Sequence, residues 1–241
     1  MEHPILFISL ILQGLGLPVP HTPTGHTFIE QLCTPYMTYT WLVMAFLVLV
    51  PRLTLGKMEL VPGNGQNFWE VVIGGLMDMC VENLGEKGAK TLFPMMATFF
   101  LYILVSNMIG LIPGFTSPTA NLNITLGMTI IVWLTHHFLG FKFHGLQYYK
   151  HFMGPSKWLA PFMFLLELIS NFARLISLSM RLFGNIFAKE VLLIVLFMLA
   201  GAYFAPLPIL MLGVLVSVIQ AVVFVLLSVL YCAGAMEHPA H

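Results

Sequence analysis

The sequence predicts an all-α polytopic membrane protein with about five net crossings, its N-terminus outside and its C-terminus inside. Three observations carry this expectation. Of the 241 residues, 59% are hydrophobic and only 8% charged, with a mean hydropathy of +0.91, whereas a soluble domain carries about 25% charge. Apolar runs long enough for a hydrocarbon core of about 30 Å recur between breaks that contain proline or glycine. Basic residues alternate between connections: residues 51–90 hold Arg52, Lys57, Lys87 and Lys90, residues 142–157 hold Lys142, Lys150 and Lys157, and 1–36, 113–123 and 201–208 hold none. Lysine- and arginine-rich connections belong on the cytoplasmic side.

The same composition excludes other classes. A formal net charge of zero and the lack of a basic cluster leave nucleic-acid binding without support. Cys33, Cys80 and Cys232 are odd in number and unrelated in spacing, so they form neither a disulfide framework nor a metal signature. His136 and His137 are adjacent and the other histidines scattered, which is the pattern of packed or interfacial side chains rather than of a metal-binding helix face. No metal or cofactor is expected.

Residues 1–36 read as an external or interfacial segment and 37–241 as a single transmembrane helical domain. Within the former, 5–17 is apolar but short for a span and lacks a basic n-region, and His21 to Pro35 is a loop rich in Thr, Pro and His. The first span covers about 37–55, opened by the aromatic belt of Tyr36, Tyr39 and Trp41. Residues 67–84 carry Glu70, Asp78 and Glu82 among apolar positions, the pattern of an amphipathic helix on the membrane or against other helices. Spans at about 91–112 and 121–140 form an antiparallel hairpin, with Asn107 the one strongly polar interior residue of the first. From Trp158 to Ala200 only Pro161 interrupts the apolar pattern, near the start where a helix tolerates it. A helix of that length would extend roughly 65 Å, so the 158–200 segment must tilt steeply or bend near Gly184. Pro206 and Pro208 then turn the chain into a last apolar helix, about 207–232.

Charge inside the long segment is its most informative feature. An ionisable residue at membrane depth costs at least about 2.5–3.5 kcal/mol and marks an ion path or a partner charge. At 100° per residue, Glu167, Ser170, Arg174, Ser177 and Asn185 fall within roughly 40° of Arg181, whereas Glu190 lies about 180° away. Glu167 and Arg174 could pair with each other and serve packing alone. Arg181 has no acid three or four residues away. On the last helix, Gly213, Ser217, Gln220 and Tyr231 share a face within about 60°, a second polar stripe able to meet the first.

The run RLFGNIFAKE at 181–190, with Glu167 before it, Gln220 in the final helix and NLNITLGM at 121–128, resembles subunit a of F-type ATP synthases, the ATPase subunit 6 family, over roughly residues 66–235. The resemblance implies the stator half of an ion-driven rotary motor in the bacterial inner membrane, with a tilted C-terminal hairpin against a c-subunit ring and a b-subunit peripheral stalk and other synthase subunits as partners. It implies that Arg181 is the essential arginine facing the ring carboxylate and that Asn185, Glu190 and Gln220 belong to two ion half-channels. Glu167, Arg174, Ser177 and Ser217 make a secondary polar path. No catalysis by this chain alone is implied. Two positions depart from some relatives: Gly213 stands where a histidine can occur and Lys189 where a small residue can occur, which leaves open whether Lys189 acts on Glu190 or points to water. The competing class is a secondary transporter holding an anionic substrate at Arg181 and Arg174, which calls for an internal repeat and broken helices.

Overall fold

The computed structural model describes residues 35–55, 63–112, 115–145, 160–200 and 206–236. The expected interfacial segment 5–17, the loop up to residue 34 and the basic connection from 146 to 157 lie outside the described residues. Within them the chain is all-helical, without a strand, and five helices are long and apolar enough to cross a membrane. They are α1 (Pro35–Thr54), α2 (Asn64–Ile109), α3 (Leu122–His144), α4 (Ala160–Ala200) and α5 (Pro206–Met236), with a short 3-10 turn, Pro118–Ala120, between α2 and α3.

Local chemistry sets the breaks. The amphipathic stretch and the span that follows it form one element, α2, divided at Gly85 with φ 68° and ψ 169°, a conformation that only glycine adopts readily. Before the break, Leu76 and Cys80 are buried while Glu70, Asp78 and Glu82 are exposed; after it, Leu92, Met96, Phe99, Phe100 and Ile103 are buried. The Asn121 side chain caps α3 by accepting from the Asn123 N–H at 2.9 Å. Gly145 ends that helix at φ 53°, its N–H donating to the Phe141 carbonyl. α4 runs through Gly184 for 41 residues without a helical break, roughly 62 Å at 1.5 Å per residue. A rod twice the thickness of the hydrocarbon core cannot stand upright in it.

The core lies where α2, α3, α4 and α5 meet. Met96, Ile103, Leu178, Leu182, Phe224, Val225 and Val229 are almost fully enclosed, and Phe99 meets Phe224 edge-on at 6.0 Å between centroids. Lipid offers apolar side chains as good an environment as the protein does, so helix association depends on close fit and polar contacts. His136 Nδ1 bonds to the Tyr231 carbonyl at 2.8 Å and ties α3 to α5. This is the packed role expected of a histidine here. Thr40 Oγ1 lies 3.2 Å from the Tyr102 hydroxyl and Trp69 Nε1 donates to Thr54 Oγ1 at 2.9 Å, joining α1 to both limbs of α2.

The lysine and arginine asymmetry puts the start of α3 outside and its end inside. Asn123 and Lys142 are both exposed at opposite ends of that helix. In a background lacking the three native cysteines, Asn123→Cys should react with a membrane-impermeant maleimide added outside intact cells and Lys142→Cys only in inverted vesicles. The reverse pattern would invert the assignment.

Candidate functional site

The polar stripe of α4 runs along the border between its packed and bare sides. Arg181 is exposed, and no hydrogen bond or ion pair holds it among the described residues. Leu178, Leu182, Ile186 and Lys189 mark the buried side. On the bare side Arg181 is flanked by small residues: Ala173, Ser177 and Ala188 are exposed and Ser170 and Gly184 half-buried. Backbone can be approached closely there. Beyond them stand large exposed apolar side chains, Ile169, Ile176, Met180 and Phe187 on α4 and Leu215 and Ile219 on α5.

Three other members of the stripe, Asn185, Glu167 and Arg174, meet neighbouring side chains. Asn185 Nδ2 donates to Gln220 Oε1 at 2.7 Å, so the two polar faces predicted on α4 and α5 do meet. The Gln220 Nε2 is buried without a protein acceptor, and such a group calls for water or a moving partner. Glu167 and Arg174 do not pair. The Glu167 carboxylate accepts from Asn171 Nδ2 at 3.4 Å, and the Arg174 guanidinium lies over the Tyr231 ring at 5.9 Å from its centroid. Seven residues place them nearly two turns apart on one face, too far for an ion pair along the axis, and the aromatic face of α5 is the nearer partner. Around Arg174 a narrow crevice opens between α3, α4 and α5, lined by Thr129, His136, Asn171, Arg174 and Tyr231 among others.

A second polar cluster sits on the far side of α4, near its other end. Glu190 accepts from the backbone N–H of Ser117 at 3.0 Å. The Ser117 hydroxyl donates to the Ser106 carbonyl at 2.9 Å and lies 2.6 Å from Thr119 Oγ1, which donates to Asn107 Oδ1 at 2.7 Å. Lys189, only 7% exposed, does not reach water. Its ammonium donates to the Asn107 carbonyl at 3.3 Å and to Ser217 Oγ at 3.4 Å, and Ser217 in turn donates to the Gly213 carbonyl at 2.7 Å. Gly213 makes this possible: a Cβ there would stand 2.5 Å from Leu111 Cδ2 and 3.2 Å from Lys189 Cδ. The two positions singled out in the sequence, Lys189 and Gly213, thus share one space. Among the described residues, no group of three or more His, Cys, Asp or Glu side chains could hold a metal ion.

Sequence reasoning placed Arg181, Glu190, Asn185 and Gln220 at two distinct faces of one hairpin but missed Ser117 and Thr119, which arrive from a turn without periodicity. Asn107, the lone polar residue in its span, was the available signal. The packing makes a specific demand: Gly213→Leu should displace the Lys189 stem, whereas in a Lys189→Ala background the added side chain fills vacated space. Thermal stability of the purified complex should show a coupling of at least about 1 kcal/mol between the two substitutions; additive effects would mean the side chains do not share that space.

Comparison with known proteins agrees with the motif. The sequence model of the family described as "ATP synthase A chain" matches residues 37–233, which extends the likeness into the first span. A protein of Desulfotalea psychrophila named ATP synthase subunit a is 68% identical over 238 residues, covering 99% of each chain. Proteins of that name from Syntrophobacter fumaroxidans and Geotalea daltonii are each 48% identical, over 99% and 98% of this chain and 99% of theirs. With its helices, its polar hairpin and near full-length relatives in agreement, the chain belongs to the ATP synthase subunit a family and is an integral membrane protein.

Proposed function

We propose that this chain is the stator of a rotary proton motor in a bacterial inner membrane, anchored by a b-subunit stalk and coupling proton flow to rotation of a c-subunit ring and so to ATP synthesis. The observation that carries the reading is Arg181: a permanent cation, exposed and without an ion pair among the described residues, with small residues around it on the bare face of α4. A cation in an apolar setting requires a counter-charge from a partner, and a ring helix bearing one carboxylate supplies it. Arginine keeps its charge at any working pH, so Arg181 attracts the deprotonated carboxylate and never relays a proton.

The two polar clusters serve as half-channels on this reading. From outside, protons reach the cluster of Glu190, Ser117, Thr119 and Asn107 and pass by Gln220 and Asn185 to the ring carboxylate. From inside, the path follows the crevice at Arg174 with Glu167, Ser177 and Asn171. Arg181 between them blocks direct leakage, which leaves rotation as the route across. α4 is continuous, so it offers no half-helix terminus of the kind that holds an anionic substrate in secondary transporters.

Two tests follow in reconstituted vesicles. Arg181→Ala should abolish ATP-driven proton pumping while passive proton leak, measured after removal of the soluble catalytic part, persists or rises. Arg181→Lys should also fail, because the ammonium is shorter and lacks the planar fork that spans a carboxylate. Normal pumping by Arg181→Ala would return the stripe to a packing role. Glu190→Gln should assemble and yet slow proton-driven ATP synthesis by about tenfold or more; wild-type rates at every pH would remove Glu190 from the path.

A further inference from the structure

We infer that the Ser117 backbone N–H, pressed into place by the missing side chain of Gly110, is the positioning group that orients the Glu190 carboxylate for proton transfer. This rests on the reading of Glu190 as a relay and adds which of its oxygens exchanges the proton. Ser117 is fully buried and extended, with φ −72° and ψ 128°. Its N–H meets Glu190 Oε1 at 3.0 Å. Its hydroxyl, donating to the Ser106 carbonyl at 2.9 Å, clasps the turn to the end of α2. That approach is tight: a Cβ on Gly110 would lie 2.7 Å from the Ser117 Cβ and 3.4 Å from its backbone N and Cα. Real Cβ contacts are not that short, so any side chain at position 110 must push the turn, and its N–H, away from α4.

A main-chain amide does not ionise in this pH range, so it acts only as a donor and presents its proton in a fixed direction. Its hydrogen bond therefore commits Oε1 as an acceptor and leaves Oε2 as the oxygen that takes up and releases the transported proton. A hydroxyl donor could rotate and trade roles with the carboxyl group; an amide cannot. Among the described residues, the other titratable groups around Glu190 are Lys189 on its own helix and Tyr36 on α1, and Lys189 is held toward Asn107 and Ser217.

Proline separates the N–H from the hydroxyl. The observed φ of Ser117 suits a proline, so Ser117→Pro removes both groups in a compatible backbone, while Ser117→Ala removes the hydroxyl alone. The measurement is the pH profile of proton-driven ATP synthesis by the complete synthase in vesicles, with assembly checked by co-purification. Relative to Ser117→Ala, Ser117→Pro should be roughly tenfold slower, the loss expected for one hydrogen bond to a charged group, with its profile displaced along the pH axis. Gly110→Ala should show the same displacement, and Gly110→Ala/Ser117→Gly, which removes the opposing Cβ, should return toward the profile of Ser117→Gly. That second pair decides the matter if Ser117→Pro does not assemble. Superimposable Ser117→Pro and Ser117→Ala profiles, or a Gly110→Ala defect that Ser117→Gly leaves untouched, would overturn the inference. Glu190→Gln run alongside separates the two levels: if it is slow while the Ser117 profiles coincide, only the orienting role falls, and if it matches wild type at every pH, the relay falls with it.

Discussion

The Lys189 ammonium is buried to 7% exposure, and a cation in that position imposes conditions on everything around it. Removing a charge from water carries a penalty of several kcal/mol unless polar atoms receive it. Here the acceptors are the Asn107 carbonyl and Ser217 Oγ. The first comes from α2 and the second from α5, so one lysine on α4 fastens three helices. Arg181, eight residues earlier on the same helix, has no such reception and faces outward. One of the two cations is satisfied inside the subunit and belongs to its architecture. The other is exposed without an acceptor among the described residues, and on the proposed reading it is left for a partner.

Two glycines set how closely the Glu190 end of the bundle can be assembled. Gly213 leaves room for the Leu111 side chain and the Lys189 stem, and Gly110 leaves room for Ser117. Neither has an unusual backbone; among the described residues only Gly85 and Gly145 have positive φ. Their value is the volume they do not occupy, as expected where helix packing cannot draw on a difference between lipid and protein interior. The result is a closed polar cluster at one end, with Glu190, Ser117, Thr119, Asn107, Lys189 and Ser217 in contact, and an open crevice around Arg174 toward the other.

Composition and spacing made the helical class legible because a membrane leaves few alternatives: backbone groups in lipid must be paired within a helix or a closed barrel. Wheel angles also foresaw that Gln220 and Asn185 share an interface. They say nothing, however, about which neighbour a side chain finds. Sharing a face with Glu167 did not reveal that Arg174 covers the Tyr231 ring, and Lys189 was as compatible with water as with the interior. Ser117 was beyond reach for a different reason. A turn that folds back onto the end of its own helix has no repeat to read, and its contact with Glu190 spans 73 positions in sequence. The division at Gly85, by contrast, falls where the sequence separates the amphipathic stretch 67–84 from the span at about 91–112.

The length of α4 gives the proposed mechanism its geometry. Along the axis Glu167 lies roughly 21 Å before Arg181 and Glu190 roughly 14 Å after it, at 1.5 Å per residue. The acids are therefore separated by more than the hydrocarbon thickness of about 30 Å, and they project about 140° apart around the helix. A chain of side chains confined to α4 would have to pass both along the rod and around it, and Arg181 stands between. Two polar regions that cannot be joined along one helix face, with a fixed cation at the break, are ill suited to a continuous pore. They suit a path whose middle step is made by a carboxylate on another body, which takes up its proton beside one region and releases it beside the other.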